Sequence, residues 1–491
     1  MRRVATLGAA AVLGAGLVAI PGAAGAAVDP VIFQGAVSDL TTHGPVGGVV
    51  VEVIDASSTG QHAVLATGVS ASSGLYEFEL PRVHATAWLR FSDPTGRYGA
   101  QYYPGWSDVD PADVFGLDQA GVRQKHAQMV PTARFGPVDP VRVFDSRDPG
   151  EGAIGPGGSV DLQLGQLGDD VTAVVLNVTT TEGSNATTFI SAQRSGSWGR
   201  QPTTSIVNAR MGLDVANLAI VGLGPSRGVQ LYNNQGTVHL AVDLEGYFSA
   251  SEGAGYAPIT PTRVLDTRTA GAPLGTGERR RVDLAATGLA IPADAVSVAI
   301  NLTSTNVTAT TSYLSAYGVG DPNGPLTSVL NAHRGLDVPN AAIVPVTGGA
   351  IELYNNAGQT DVVIDVQGWF TASSGAAFLP YDPHRTAFSD AGWLGPDSAR
   401  DEIDPGRHIE PPARAVAAAL NVTTSQATAA AGYLTVYPAG SARPFASTTN
   451  TRTGVDSATS VLVGLGPGYS IYNKAGQVLP FVDVMGYFVS P

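Results

Sequence analysis

The sequence contains no cysteine, few charged residues and no second long hydrophobic run. Without cysteine there are no disulfides, which excludes the disulfide-framed modules of small secreted eukaryotic proteins. Charged residues are only 14% of the chain and the formal net charge is −14, so the composition excludes a general affinity for nucleic acid or anionic lipid. The 60 glycines and 33 prolines are typical of an all-β protein with many turns.

The first 26 residues have the pattern of a secretory signal peptide. Arg2 and Arg3 precede an apolar run over residues 4–20, and small residues at the end of the segment favour cleavage after Ala26. A retained membrane anchor is the alternative, although the run is rich in alanine and glycine and lacks a charged stop. No later segment approaches the roughly 18–20 apolar residues of a spanning helix. We therefore expect a secreted protein, extracellular or attached to the cell surface, with a net charge of −16 after cleavage.

Residues 27–130 have the pattern of a small antiparallel β-sandwich. In "GLYEFELP", Tyr76, Phe78 and Leu80 alternate with two glutamates, which indicates a strand with one buried face. The segments "GGVVVEVID" and "TAWLRFSD" also have strand character, and turn residues separate the three segments.

This part of the chain resembles the carboxypeptidase regulatory-like domain, a transthyretin-like sandwich. The segments "SSGLYEFELP" and "FSDPTGRY" carry the resemblance, which covers most of residues 31–128 and departs after Pro104. Domains of this family recur in actinobacterial exoproteins and are classed with carbohydrate-binding-like folds. The resemblance implies a non-catalytic spacer or recognition module.

Three long repeats follow, at residues 140–248, 258–370 and 379–488. Each ends in the same hairpin pattern: "LYNNQGTVHLAVDLEGYF", "LYNNAGQTDVVIDVQGWF" and "IYNKAGQVLPFVDVMGYF". Equivalent anchors, such as Asn177, Asn301 and Asn421, lie 118–124 residues apart, so each repeat is long enough to be a domain.

The sequence thus predicts an all-β fold, with a small β-sandwich followed by three tandem β-sandwich-like domains. The linkers "SASEGAG" and "TASSGAA" consist of small residues, which favours repeats that are separate beads. The alternative is that the three repeats close into one pseudo-threefold assembly.

The repeats resemble tandem β-rich repeats of secreted actinobacterial proteins, in which R-x-x-D-T-R opens the unit and G-Y-F closes it. The second repeat has this motif from Arg263 to Arg268, and the first has a close variant. In the third repeat Arg385 remains, but Phe388 stands where the aspartate belongs. The resemblance implies no established activity.

Enzyme motifs are absent from the sequence. There is no cysteine nucleophile, G-x-S-x-G elbow, H-E-x-x-H or P-loop, and none of the eight histidines recurs at equivalent positions of the repeats. We therefore expect a non-catalytic protein without a cofactor.

An acidic turn offers the only metal-like pattern. "SDVDPAD" places Asp108, Asp110 and Asp113 within six residues, which is dense enough in oxygen for calcium. It lacks the glycine and the distal glutamate of an EF-hand loop. A solvated turn with one aspartate capping a short helical turn is therefore the favoured interpretation.

Aromatic residues beside this turn are the candidate ligand-binding residues. They are Tyr98, Tyr102, Tyr103 and Trp106. Such rings stack on sugars while carboxylates accept hydrogen bonds from the hydroxyls. The alternative, which the sequence favours, is that some of these rings pack at the end of the small sandwich.

An arginine and an aspartate recur in every repeat. The aspartate lies on the last strand between apolar neighbours, and a buried carboxylate requires a partner. We predict a structural Arg–Asp clasp that joins the first strand of each repeat to the last. The pairs are Arg142–Asp243, Arg263–Asp365 and Arg385–Asp483.

These observations favour a secreted binding or adhesive protein of the bacterial cell envelope, with weak multivalent recognition of envelope or extracellular polysaccharide. One alternative is a purely structural spacer at the surface. Another is an accessory component of an extracellular hydrolase system.

Overall fold

The structure is a computed structural model that describes residues 29–56, 63–103, 114–185, 187–196, 202–224, 226–321, 327–402, 411–412 and 414–491. The chain forms two compact units. Among the described residues, the first unit comprises those of 29–39, 44–94 and 100–129, and the second comprises those of 40–43, 95–99 and 130–491. The predicted all-β fold class is confirmed. None of the helices in the described ranges is long and apolar enough to span a membrane. The signal-peptide segment lies outside the described residues.

The described part of the first unit contains nine strands. They are Val31–Asp39 (β1), Val50–Asp55 (β2), Val64–Val69 (β3), Leu75–Leu80 (β4), Thr86–Ser92 (β5), Gln101–Tyr102 (β6), Phe115–Gly116 (β7), Gly121–Gln124 (β8) and Ala127–Met129 (β9). One sheet has the order β4-β1-β8, with β9 also paired to β1. The other has the order β3-β2-β5-β6, with β7 paired to β5.

The core of the first unit follows from the alternation seen in the sequence. On β4, Tyr76, Phe78 and Leu80 are buried, and the residues between them are exposed. The Phe78 ring stacks on Phe33 at 5.5 Å, and the Tyr76 ring meets the edge of Phe91 at 5.9 Å. The predicted half-buried strand is therefore confirmed.

The second unit contains the three repeats, and each has eight strands in the described residues. In the first repeat they are Arg134–Asp145 (β10), Ser159–Gln163 (β11), Val171–Thr181 (β12), Thr188–Arg194 (β13), Val207–Ala209 (β14), Val215–Gly222 (β15), Gly228–Asn233 (β16) and His239–Ser249 (β17). In the second they are Gly255–Asp266 (β18), Arg279–Asp283 (β19), Ala295–Thr305 (β20), Thr311–Gly318 (β21), Leu330–His333 (β22), Val338–Pro345 (β23), Ala350–Asn355 (β24) and Asp361–Thr371 (β25). In the third they are Ala377–Arg385 (β26), Ser398–Glu402 (β27), Ala415–Ser425 (β28), Gly432–Pro438 (β29), Thr449–Thr451 (β30), Ser457–Gly464 (β31), Tyr469–Asn473 (β32) and Leu479–Val489 (β33). Short 3₁₀ turns lie at Gly165–Leu167, Ala285–Thr287 and Ala387–Ala391.

The strand order of each repeat is that of a jelly roll. In the first repeat one sheet has the order β10-β17-β12-β15 and the other has the order β11-β16-β13-β14. The first strand thus pairs with the last, the second with the seventh, the third with the sixth and the fourth with the fifth, as in a hairpin rolled into two sheets. The second and third repeats have the same order.

The sheet that contains the first and last strands has an apolar layer on both faces. On β12, Val174, Leu176 and Val178 pack into the core between the two sheets of the repeat. The alternate residues Ala173 and Val175 pack into a core that all three repeats share. Burial on both faces explains why these strands read as continuous apolar runs in the sequence.

Aromatic rings from all three repeats form the centre of that shared core. Phe135 of the first repeat lies 4.5 Å from Phe370 of the second, measured between ring centroids. Phe248 lies 4.5 Å from Phe378 of the third repeat, and Tyr256 lies 4.5 Å from Phe488. The prediction of separate beads was therefore wrong, because each repeat buries a hydrophobic face against the other two.

The small-residue segments that were predicted to be linkers take part in the contacts that join the three repeats. Phe135 donates its N–H to Ala254 O at 2.8 Å, and Tyr256 donates to Ala376 O at 2.8 Å. Phe378 donates to Ala133 O at 2.6 Å, which returns the cycle to the first repeat. The three repeats thus form a closed ring around a pseudo-threefold axis.

Candidate functional site

The structure brings each predicted Arg–Asp pair into contact. The arginine Nε donates to the aspartate Oδ1 at 2.6 Å from Arg142, 2.8 Å from Arg263 and 2.9 Å from Arg385. The aspartate side chains are between 0% and 2% exposed. Burial raises the pKa of Asp243 and of Asp483 above the usual range, although each accepts hydrogen bonds from its arginine.

A second carboxylate joins the clasp in two of the repeats. Asp145 contacts both Arg142 and Arg147, and Asp266 holds the same place in the second repeat. Hydrogen bonds from Arg147 lower the pKa of Asp145 below its usual range. In the third repeat the buried ring of Phe388 replaces this carboxylate, and the Arg400 guanidinium lies 5.2 Å from the ring centroid.

The clasps also hold the neighbouring repeat, which the sequence did not indicate. Asp365 accepts the backbone N–H of Ser447 at 3.0 Å, from the second repeat to the third. Asp483 accepts the N–H of Ser205 at 3.2 Å, from the third repeat to the first. The recurring aspartate therefore belongs to the interfaces of the ring as well as to its own sheet.

The asparagines that occupy equivalent positions in the three repeats lie at the same interfaces between repeats. The side-chain amide of Asn177 donates to Ser328 O at 2.5 Å, that of Asn301 to Ser447 O at 2.8 Å and that of Asn421 to Ser205 O at 2.5 Å. Their recurrence was visible in the sequence, but nothing in a single repeat shows that the partner lies in the next one.

A cleft of about 350 Å³ runs along the interface between the second and third repeats. Its polar groups come from both sides: the Arg263 guanidinium and the exposed Asp337 carboxylate from the second repeat, and Asn450 from the third. The half-buried Tyr433 ring lies beside them.

The interface between the third and first repeats has an equivalent cleft of about 250 Å³. Arg385, Thr423 and Asp456 of the third repeat hold the positions that Arg263, Thr303 and Asp337 hold in the second. Phe189 of the first repeat holds the position that Tyr433 holds in the third. The two clefts thus share an aromatic ring, a carboxylate and a guanidinium at equivalent positions.

Each cleft also has a guanidinium that lies over an aromatic ring. The Arg263 guanidinium is 5.0 Å from the ring centroid of Phe445, a residue that is 81% exposed. The Arg385 guanidinium is 4.8 Å from the ring centroid of Phe481. Aromatic rings beside fixed polar groups are the features by which proteins bind the apolar faces and the hydroxyls of sugars.

Two of the four aromatic residues predicted to bind ligand are buried. Tyr98 and Tyr102 are only 7% and 9% exposed, so little of either ring is accessible. Tyr102 packs with Ile54 and Trp88 in a small core. The Lys125 ammonium lies 4.1 Å from the ring centroid of Tyr103. Trp106 lies outside the described residues.

Metal ligands were predicted, as the less favoured interpretation, in the acidic turn. Asp108, Asp110 and Asp113 lie outside the described residues. Among the residues that the structure describes, no three acidic or histidine side chains are grouped in a way that could hold a metal ion.

Comparisons with known proteins found no matching family model and no similar curated protein. Among solved structures, the chain is similar to a DUF3823 family protein from Bacteroides ovatus, with 8% identity, a TM-score of 0.14 and coverage of 44% of this chain and 97% of that one. It is similar to a chain of Sulfolobus turreted icosahedral virus, with 8% identity, a TM-score of 0.17 and coverage of 72% and 91%. It is also similar to the N-terminal CBM22-1–CBM22-2 tandem of Paenibacillus barcinonensis Xyn10C, with 9% identity, a TM-score of 0.15 and coverage of 49% and 94%. Scores this low identify no function.

Proposed function

We propose that this chain is a secreted, non-catalytic carbohydrate-binding protein whose ligand lies in the clefts between the repeats. The observation that supports this proposal most directly is the pairing of an aromatic ring with a carboxylate at equivalent positions, Tyr433 with Asp337 in one cleft and Phe189 with Asp456 in the other. Aromatic rings bind the apolar face of a sugar, while carboxylates, amides and hydroxyls bind its hydroxyl groups. Two equivalent clefts in one rigid ring bind a polymeric ligand with avidity.

A purely structural role is the second candidate. The closed ring favours it, because the shared aromatic core and the interface hydrogen bonds account for many of the recurring residues without a ligand. The two candidates differ in whether the clefts contact anything outside the protein.

Binding to a glycan array, and retention on purified cell-wall and plant polysaccharides, tests the proposal. We expect the wild-type protein to bind, and we expect Tyr433→Ala and Phe189→Ala each to weaken binding about tenfold, which corresponds to about 1.4 kcal/mol. Trp393→Ala is the matched control, since Trp393 is 44% exposed but does not line either cleft. If no glycan binds the wild-type protein, the structural role is the correct one.

A further inference from the structure

A third pocket, the axial pocket, lies on the pseudo-threefold axis, where equivalent turns of the three repeats meet. Its volume is about 300 Å³, which is comparable to the volume of each cleft. The turn aspartates Asp214, Asp337 and Asp456 all line it, one from each repeat. The axial pocket is therefore built jointly by the three repeats.

The axial pocket opens into both clefts. It shares the exposed residues Asp337 and Ala431 with the cleft between the second and third repeats. It shares the half-buried residues Arg210 and Asp456 with the cleft between the third and first repeats. The two clefts and the axial pocket thus form one continuous groove.

The shared core closes the axial pocket on its inner side. Along β15, Ala216 lines the pocket, and two residues later Leu218 belongs to the shared core. Along β23, Pro339 lines the pocket before Ala341 and Ile343 enter that core. A ligand chain that reaches the axis from one cleft cannot continue down the axis, and its path along the protein continues in the other cleft.

The Arg210 guanidinium stands where the axial pocket meets the cleft between the third and first repeats. Its side chain donates no hydrogen bond within the described part of the chain, whereas the equivalent Arg452 Nη1 donates to Gly335 O at 3.0 Å. Burial, and secondly the charge of Arg452, lowers the pKa of Arg210. A half-buried guanidinium without a protein partner gains hydrogen bonds from the hydroxyl groups of a ligand.

A carboxylate stands at each junction between the axial pocket and a cleft. Asp337 lies at the junction with one cleft, and Asp456 lies beside Arg210 at the junction with the other. Carboxylates accept hydrogen bonds from sugar hydroxyls. They also repel a sugar that carries its own negative charge, so the groove favours a neutral glycan.

The symmetry of the ring determines the shape of a ligand that follows the groove. The interfaces of a threefold ring point away from the axis in different directions, and each cleft lies along one interface. A chain that occupies both clefts therefore changes direction at the axial pocket. Glycans of the cello-series are straight ribbons, whereas the linkages of the laminari- and malto-series curve the chain.

We infer that the two clefts and the axial pocket bind a single, uninterrupted stretch of one neutral glycan chain, which bends at the axis. This inference rests on the proposed function. It adds that one chain contacts both clefts of a molecule, with an internal sugar residue at the axis, and that the protein selects glycans whose linkage curves the chain.

Calorimetric titration with oligosaccharides of two to six residues tests the inference. The cello-, laminari- and malto-series consist of glucose alone and differ only in linkage, so they are matched in composition. We expect laminarihexaose or maltohexaose to bind with one site per molecule, at least about tenfold more tightly than the trisaccharide of the same series and than cellohexaose.

Variants in the clefts distinguish one groove from two separate sites. In one groove the same hexasaccharide contacts both rings, so Phe189→Ala and Tyr433→Ala should each weaken its binding about tenfold and leave one site per molecule. Two separate sites would give a different result, because each variant would remove one of two sites and leave the other at wild-type affinity.

A variant in the axial pocket tests the connection between the clefts. Ala458→Leu narrows the pocket, and Ala458 lines neither cleft. We expect this variant to reduce the affinity for the hexasaccharide to that for the trisaccharide, with the binding of the trisaccharide unchanged. Ala430→Trp places a ring at the same pocket from an exposed position and serves if the first variant does not fold.

The outcomes separate the inference from the proposed function. The inference is wrong and the cleft proposal stands if two hexasaccharides bind per molecule, if cellohexaose binds as tightly as the curved hexasaccharides, or if the folded axial variants bind the hexasaccharide as the wild-type protein does. Binding to a polysaccharide of the array without binding to any hexasaccharide also overturns the inference, because a single groove contacts only a short stretch of chain. If no array glycan and no hexasaccharide binds, both the inference and the proposed function are wrong.

Discussion

Asp365 forms hydrogen bonds within its own repeat and with the next repeat. It accepts two hydrogen bonds from Arg263, at 2.8 Å and 3.0 Å, and one from the Ser447 N–H at 3.0 Å. A carboxylate this deeply buried is stable only while these donors surround it. Its loss therefore affects both the clasp and the interface with the third repeat.

Asp365→Ala should lower the free energy of unfolding by about 3 kcal/mol, because it leaves the Arg263 guanidinium without its buried partner. Denaturant unfolding followed by circular dichroism measures the change. Asp148→Ala is the control, since Asp148 is exposed. An unchanged melting temperature together with lost glycan binding would contradict a structural clasp and assign Asp365 to the ligand site.

Glu245 is a buried carboxylate without a clasp. Burial, and secondly the charge of Asp243, raises its pKa to about 8, and Glu245 Oε2 has no hydrogen-bond partner in the described structure. Gln367 holds the equivalent position in the second repeat and accepts the Leu462 N–H at 3.0 Å. A neutral side chain therefore suits this position.

Glu245→Gln should stabilise the protein at alkaline pH and have little effect at acidic pH. The folded protein holds the Glu245 proton more tightly than the unfolded chain does. This stabilisation is therefore complete below the unfolded pKa of 4.5 and is lost as the pH rises through about 8. Melting temperatures of the two proteins at pH 5 and pH 9 measure the difference, which we expect to correspond to about a few kcal/mol at pH 9. Gln367→Glu is the mirror control and should destabilise the protein at pH 9; a pH-independent effect of Glu245→Gln would contradict the assignment.

At the scale of secondary-structure elements, a chain of side-chain amides links β12, β15 and their counterparts around the axis. Asn340 Nδ2 donates to Asn177 Oδ1 at 3.1 Å, and Asn217 Nδ2 donates to Asn421 Oδ1 at 2.8 Å. The third link is missing, because Thr459 stands where the other repeats have asparagine. Consistent with this, Asn301 Oδ1 and Thr459 Oγ1 are both buried without a partner in the described residues.

Thr459→Asn should complete the amide ring and raise the free energy of unfolding by about 1 kcal/mol, through a hydrogen bond to Asn301 Oδ1. A cavity of about 300 Å³ whose lining includes Thr459 leaves room for the larger side chain. Thr459→Val is the matched control and should be nearly neutral, because the hydroxyl it removes has no protein partner. If denaturant unfolding shows Thr459→Asn to be no more stable than Thr459→Val, the predicted hydrogen bond to Asn301 Oδ1 does not form.

Sequence reasoning succeeded where a local pattern determines the structure. The alternation around Phe78 predicted β4 and its buried face. The Arg–Asp pairs were also predictable, because a recurring aspartate between apolar neighbours requires a cation nearby.

The assembly of the repeats was not predictable in the same way. Phe135 and Phe378 resemble ordinary strand residues, since the sequence of one repeat does not show which face meets another repeat. The clefts were missed for the same reason. Tyr433 and Asp337 lie about 100 residues apart and meet only because the ring is closed.

At the scale of the whole molecule, the ring is made of one chain rather than three identical ones. In a homotrimer every substitution appears three times, and the axis can carry only side chains that tolerate their own copies. Here the positions have diverged independently. In the third repeat Phe388 replaces the aspartate that contacts the clasp arginine in the other two repeats. His333 of the second repeat is equivalent to an arginine in each of the others, and Glu245 of the first repeat is equivalent to Gln367 of the second. A single-chain ring can therefore recognise a ligand that has no threefold symmetry, because the residues at each interface can evolve to contact a different part of that ligand.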